Sequence, residues 1–268
     1  MKKLFVLPLL LLIATSLSAQ RKETILRDGW KFSRGEKYAS MNAIAPSLVG
    51  FNDSKWQTVQ VPHDWAISGP FDKEIDKQTV AIEQNGEKQA TEKTGRSGSL
   101  PWIGEGWYRT TFKVDKESQR VVLNFDGAMA EPEVYVNGAK VGEWKYGYTP
   151  FNIDITGVVN GDDTPNTLAV HLKNVEESSR WYPGAGLIRP VTLIQTGTCH
   201  IDEWGINVET KTYNWNTQEA TLTLGVNIEG DFEDKTVRFE TNGHTIDVKS
   251  EATDCLGASW AGTTLTIR

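Results

Sequence analysis

Residues 134–141 read Val134-Tyr135-Val136-Asn137-Gly138-Ala139-Lys140-Val141, a β-branched and aromatic run that meets Asn-Gly and returns to valine. Asn-Gly is the strongest short-range hairpin signal, because a type I′ turn needs positive φ at both central positions and these residues tolerate it. The same pattern recurs where Val237 and Phe239 run into Asn242-Gly243 and return through Ile246 and Val248. Working outward, the chain alternates with period two. Val121, Leu123 and Phe125 oppose Val122, Asn124 and Asp126; Leu168, Val170 and Leu172 oppose Ala169 and His171; Leu222, Leu224, Val226 and Ile228 oppose Thr221, Thr223 and Asn227. This is the mark of half-buried antiparallel strands. No long helical period follows the N-terminal segment, so the expected fold is all-β, built as sandwiches.

A boundary is expected near Gly197, between a closing strand at Val191 to Gln195 and a new strand set opening at Trp204 to Thr210. Residues 20–197 then form one sandwich. Residues 198–268 hold four to five strands by their pattern, short of the about seven of an immunoglobulin-like sandwich. Since the chain also stops inside the strand pattern Thr264 to Arg268, the second sandwich reads as incomplete and the sequence as a piece of something longer. The stretch from Phe71 to Leu100 differs: it is polar, its only apolar piece is Val80-Ala81-Ile82, and a loop of this length is usually functional or disordered, the plainer reading being a solvated flap.

Lys2 and Lys3 followed by the apolar run Leu4 to Ile13 and the small residues Ser16, Ser18 and Ala19 read as an export signal cleaved after Ala19. The run is too short to span a bilayer, and no later segment is apolar enough to anchor the chain. The expected location is therefore periplasmic or extracellular, with no membrane partner. Losing residues 1–19 removes two lysines and no acids, which leaves 26 basic against 35 acidic groups, a net charge of −9. Such a protein is poorly suited to nucleic acid, and a neutral ligand fits better.

Cys199 and Cys255 could pair in an oxidising compartment, but two cysteines without CxxC spacing indicate neither a disulfide framework nor a zinc site. The four histidines lack metal-ligand spacing, and no Gly-rich phosphate loop is present, so no cofactor is expected. The chain holds 10 Trp. Trp can cover pyranose C–H surfaces with its flat face, or fill a sandwich core; most of the ten are expected in the core.

Three segments carry a family resemblance. They are Val61-Pro62-His63-Asp64-Trp65 with Gly69-Pro70-Phe71; Gly106-Trp107-Tyr108-Arg109 through Phe125-Asp126-Gly127 and Val134–Gly138 to Gly147-Tyr148-Thr149-Pro150-Phe151; and Ser179-Arg180-Trp181-Tyr182-Pro183-Gly184-Ala185-Gly186-Leu187-Ile188-Arg189. Together they resemble the N-terminal sugar-binding domain of family 2 glycoside hydrolases, a group of β-galactosidases, β-glucuronidases and β-mannosidases. The His-Asp-Trp version with its polar insertion looks most like secreted bacterial β-galactosidases. The resemblance covers roughly Ile25 to Thr196 and continues more weakly to Arg268. It implies a jelly-roll sandwich, an immunoglobulin-like sandwich, then a (β/α)₈ barrel that carries both catalytic glutamates of a retaining mechanism. No barrel sequence is present here, so no residue of this chain is expected to be catalytic. Glu131 and Glu133, the closest acidic pair on one strand face, read as a solvated edge.

The resemblance also implies that a loop of the first sandwich reaches over the barrel and contacts the sugar. The position six residues before Gly186 holds an aspartate in that family, and here it is Arg180. Arginine offers donors only, so it cannot replace an acceptor. Trp181 beside it could stack on the ring, or the two could lock the loop by a cation–π contact. Asp64 is the alternative acceptor, or else the cap of the following turn. In the Gly-Trp-Tyr-Arg segment, Tyr108 and Phe112 share one strand face, and Trp107 and Arg109 the other. The expected substrate-binding set is thus Asp64, Arg180 and Trp181, and the expected partners are a carbohydrate and the chain's own barrel; an oligomer is compatible with the sequence. A stand-alone secreted carbohydrate-binding or adhesion module is the rival reading.

Overall fold

The computed structural model describes residues 21–35, 45–75, 77–80, 91–94, 98–162, 164–175, 178, 181–230, 235–241, 244–252 and 259–267. The expected export signal, Arg180, the Asn242-Gly243 turn and Cys255 lie outside the described residues.

The described elements are all strands: Lys22–Ile25 (β1), Trp30–Arg34 (β2), Gln57–Val59 (β3), Lys77–Val80 (β4), Thr91–Thr94 (β5), Gly104–Phe112 (β6), Arg120–Phe125 (β7), Glu133–Val136 (β8), Ala139–Glu143 (β9), Phe151–Asp154 (β10), Asn166–Asn174 (β11), Val191–Thr196 (β12), His200–Asn214 (β13), Glu219–Glu229 (β14), Thr236–Thr241 (β15), His244–Lys249 (β16), Glu251–Ala252 (β17) and Ser259–Ile267 (β18). A four-stranded sheet in the order β1-β12-β7-β10 faces a six-stranded sheet in the order β3-β2-β6-β11-β8-β9. Every registered pair is antiparallel, as the alternation predicted. The result is an all-β sandwich of jelly-roll type.

The core between these sheets takes Leu123, Phe125, Val191 and Leu193 from the smaller sheet and Phe32, Tyr108, Val134, Leu168 and Val170 from the larger. Each fully buried aliphatic or aromatic side chain contributes about 1.5–3 kcal/mol over the exposed state. The hairpin at 134–141 forms as read: Asn137 and Gly138 have φ of 51° and 87°, and Val136 pairs with Ala139. The alternation fails where both faces are covered. Val122 and Ile194 face each other in register on the face opposite Leu123, yet both are buried. On the outer face of the six-stranded sheet Ala169 is wholly buried between Arg109 and Tyr135. A covering loop explains this, since Arg109 reaches Asp53 Oδ2 at 2.9 Å, Leu48 O at 3.1 Å and Pro46 O.

The polar stretch from Phe71 to Leu100 is not merely a loop: β4 and β5 pair within it from Lys77↔Thr94 to Val80↔Thr91. Beyond Gly197, the described residues form six strands rather than four to five. β13, β14, β18 and β17 make one sheet. The β15–β16 hairpin, with Val237 opposite Val248, packs Val237, Phe239 and Val248 on Val226, Ile228 and Ala261. That cover is partial, because Ile206 and Val208 pair with Val226 and Leu224 and so share their face, yet are exposed.

The two strand sets meet at a buried carboxylate. Glu203 in β13 takes both oxygens to Arg120 Nη1 in β7, at 2.9 and 2.8 Å. Arg21 Nη1 lies 3.5 Å from the same carboxylate, while Arg120 also reaches Asp154 at 3.3 Å and Glu229 at 3.8 Å. Burial opposes the charge on Arg120, but the Glu203 bond and the surrounding acids outweigh it and hold its pKa above the ordinary value.

Candidate functional site

Parts of the three segments quoted for the resemblance, far apart in sequence, lie side by side. His63 N donates to Leu187 O and Trp65 N to Ala185 O, both at 2.8 Å. On the other side of that strip Met129 and Gly186 exchange two backbone hydrogen bonds of 2.8 Å, and beyond it Ala128 N donates to Gly147 O at 3.1 Å. Val61–Trp65, Ala185–Leu187, Ala128–Met129 and Gly147 are therefore laced edge to edge by main-chain bonds. Gly186 makes the packing feasible: its φ is +122°, and a Cβ there would collide with the Tyr108 hydroxyl and sit 2.7 Å from His63 O. Gly147 is similarly required, since a Cβ would lie 2.7 Å from Met129 Sδ.

Beneath this strip the side chains are locked. Trp65 is buried, stacks on Phe32 with centroids 5.8 Å apart, and donates its Nε1 to Pro101 O at 3.2 Å. His63 Nδ1 lies 2.7 Å from the Tyr108 hydroxyl. Burial lowers the His63 pKa against the pull of Asp64, and burial pushes the Tyr108 phenol well up. The Tyr108 hydroxyl also donates to His63 O at 3.4 Å.

Above the strip, Asp64 is half-buried. Its Oδ1 accepts from Ala66 N at 3.0 Å, which is the turn cap, and from the Tyr182 hydroxyl at 2.5 Å. Its Oδ2 takes no hydrogen bond among the described residues and faces Gly184, 3.7 Å from the point a Cβ would occupy. Trp181 is 59% exposed, and its Nε1 donates to the Tyr148 hydroxyl at 2.9 Å. Arg189 donates to Tyr148 O at 3.0 Å and Asp126 O at 3.3 Å. Asp64 and Trp181 are thus linked through the adjacent residues 182 and 181, since Tyr182 bonds Asp64 and Trp181 bonds Tyr148. Arg180 lies outside the described residues. The residues missed from sequence are Tyr182 and Tyr148, the partners of Asp64 and Trp181. Both stood within the quoted motifs, but nothing local marks which side chain a tyrosine will meet. Of the tryptophans whose side chains are described, Trp30, Trp56, Trp65 and Trp102 are buried and Trp107 is half-buried, whereas Trp144, Trp181, Trp204 and Trp215 are exposed, because these last four stand on loops, turns and an open edge rather than on inward strand positions. Trp107 and Arg109 do share the face opposite Tyr108, with Trp107 stacked on His171 at 4.6 Å.

Glu133 is not a solvated edge. It binds Lys140 at 2.5 Å, the Tyr135 hydroxyl at 3.1 Å and His171 at 3.4 Å. The Lys140 bond leads in holding its pKa below the ordinary carboxylate value. A carboxylate kept ionised in this way is ill suited to donate a proton to a leaving group. Among the described residues no group of three or more His, Cys, Asp or Glu side chains is arranged to hold a metal ion.

Residues 88–186 match the family described as glycosyl hydrolase 2 galactose-binding domain-like. The chain is 35% identical over 218 residues to the β-galactosidase BoGH2A of Bacteroides ovatus, covering 80% of this chain and 23% of that protein. It is 30% identical over 239 residues to a putative β-glucuronidase of Formosa agariphila, covering 87% of this chain and 20% of the other. Among solved structures, a β-glycosidase from Bacteroides vulgatus superposes with a TM-score of 0.67 at 29% identity, over 91% of this chain and 29% of its own. The chain thus spans between a fifth and a quarter of the length of these two curated relatives.

Proposed function

We propose that this chain, which over residues 88–186 matches the galactose-binding-like domain of glycosyl hydrolase 2, is the sugar-contacting, non-catalytic part of an exported hydrolase of terminal β-glycosidic bonds, with β-galactosides as the leading substrate. The observation that carries this reading is the linked pair: Asp64 offers a hydrogen-bond acceptor at Oδ2 while Oδ1 is held in place, and Trp181 offers an exposed indole whose edge is fixed by Tyr148. A carboxylate and a flat apolar face on one loop system suit a pyranose, which has hydroxyls on its rim and C–H groups on one side. Arg180, next to Trp181, belongs to the same proposed site as a donor.

In this reading the protein's role is binding and orientation. Asp64 would accept sugar hydroxyls, Trp181 would set the plane of the ring, and the carboxylate pair that breaks the bond would be supplied by barrel polypeptide beyond these 268 residues. Two measurements test it. The purified chain should not turn over nitrophenyl β-galactoside or β-glucuronide above buffer; activity that survives repurification would overturn the non-catalytic assignment. In the polypeptide that includes the barrel, Asp64→Ala and Trp181→Ala should each lower kcat/KM by about tenfold or more. A drop in Tm with kcat/KM unchanged would make both residues structural.

A further inference from the structure

The loop between β9 and β10 presents three aromatic side chains outside the core. Trp144 is 40% exposed and Tyr146 60% exposed, and Tyr148 receives the Trp181 indole. Exposed aromatics are ordinarily mobile, but these are held. The Trp144 ring stacks on Phe151 at 5.5 Å and 14°, and Phe151 stacks on the core ring of Phe125 at 4.8 Å and 2°. The three rings form a layered stack whose outermost face belongs to Trp144. Thr149 closes the loop, accepting from Trp144 Nε1 at 3.0 Å and donating to Tyr146 O at 3.3 Å. Tyr146 and Tyr148 meet edge to face at 5.7 Å. Gly147, between them, is the outer end of the laced strip that holds Asp64.

An indole fixed by stacking and by its own N–H loses little freedom when a ligand lies on it, so contact there is not offset by ordering the side chain. The loop combines apolar faces with polar tips, and its charged neighbours are of mixed sign, Glu143 and Lys145 (3.8 Å apart) with Arg189 alongside. That chemistry suits a neutral, amphipathic ligand rather than a polyanion. We propose that Trp144, Tyr146 and Tyr148 extend the site of Asp64 and Trp181 into a second platform, so that the ligand is a neutral β-linked oligosaccharide of several sugars rather than a single terminal residue. The proposal rests on the sugar-contacting reading of Asp64 and Trp181.

The test uses the chain itself, titrated with galactose and with β-linked galactotetraose and followed by tryptophan fluorescence and calorimetry. Galactotetraose should bind about tenfold tighter than galactose or better. Tyr146→Ala should erase that gain while leaving galactose binding intact, and its exposed ring makes this substitution easy for the fold to bear. Tyr148→Phe, which keeps the ring and removes only the hydroxyl that Trp181 bonds, should weaken both ligands. Equal affinity for the two sugars, with galactose binding still lost in Asp64→Ala, would overturn the extended platform and leave the first site standing. Absence of binding to either sugar would overturn the extended platform, and the first reading would then rest on kcat/KM of Asp64→Ala and Trp181→Ala in the polypeptide that includes the barrel. A change of sedimentation coefficient in Tyr146→Ala with sugar binding unaltered would make the loop a protein interface and overturn the proposal.

Discussion

The Tyr182 hydroxyl donates to Asp64 Oδ1 at 2.5 Å, joining residues 118 positions apart. The same oxygen caps the following turn by accepting from Ala66 N. The two roles that the sequence left open for Asp64 are therefore compatible, one on each oxygen: Oδ1 is structural and Oδ2 remains available. Burial first, and the Asp64 bond second, push the Tyr182 pKa up, so the phenol stays a donor at neutral pH.

Tyr182→Phe should cost about 1 kcal/mol, the net worth of one hydrogen bond, whereas Asp64→Ala should cost about 2–3 kcal/mol because it also removes the cap. Urea unfolding of both variants measures this. Equal losses would show that the cap contributes nothing.

His63 should make the protein sensitive to mild acid. Its folded pKa is lowered by burial, so the unfolded state takes up the proton first as pH falls. The contribution is complete above the unfolded value of about 6.5 and is lost as pH drops from there through the folded pKa. Melting temperatures between neutral pH and pH 5 should fall less steeply in His63→Gln than in the parent. Parallel slopes would count against a His63 whose pKa is lowered by burial.

Gly186→Ala should be among the most damaging single changes in the chain, with a loss of about 3 kcal/mol or more. A methyl group there meets the Tyr108 hydroxyl and His63 O at a φ of +122°, and either must move to admit it. Gly157→Ala, where nothing lies within 4 Å, is the control and should be near neutral. A mild effect at Gly186 would mean that the strip yields easily.

At the junction of the two strand sets, Arg120→Ala should cost about 3–5 kcal/mol, because it leaves Glu203 buried without its main partner. The double variant Arg120→Ala with Glu203→Ala should be more stable than Arg120→Ala alone, since the unpaired charge is then gone. Additive losses would contradict a coupled pair.

How much of this was legible beforehand depended on the range of the interaction. Period-two alternation and the Asn137-Gly138 turn determined an all-β sandwich, because those signals are local: strand pleat and turn dihedrals involve residues a few positions apart. Asp64, Arg180 and Trp181 were pointed to by the family resemblance that the three motifs carry. The burial of Val122 and Ala169 escaped the same pattern, since it depends on what covers the outer faces of the sheets. The pairing of β4 with β5 was hidden because polar strands of a ribbon show no apolar alternation. Only the tertiary structure decided that Val61–Trp65, Ala185–Leu187 and Met129 lie edge to edge, that Tyr182 holds one oxygen of Asp64, and that Tyr148 holds Trp181. Those contacts join positions from 33 to 124 residues apart. Their partners are chosen by how two sheets close over a shared core, which no run of neighbouring residues encodes.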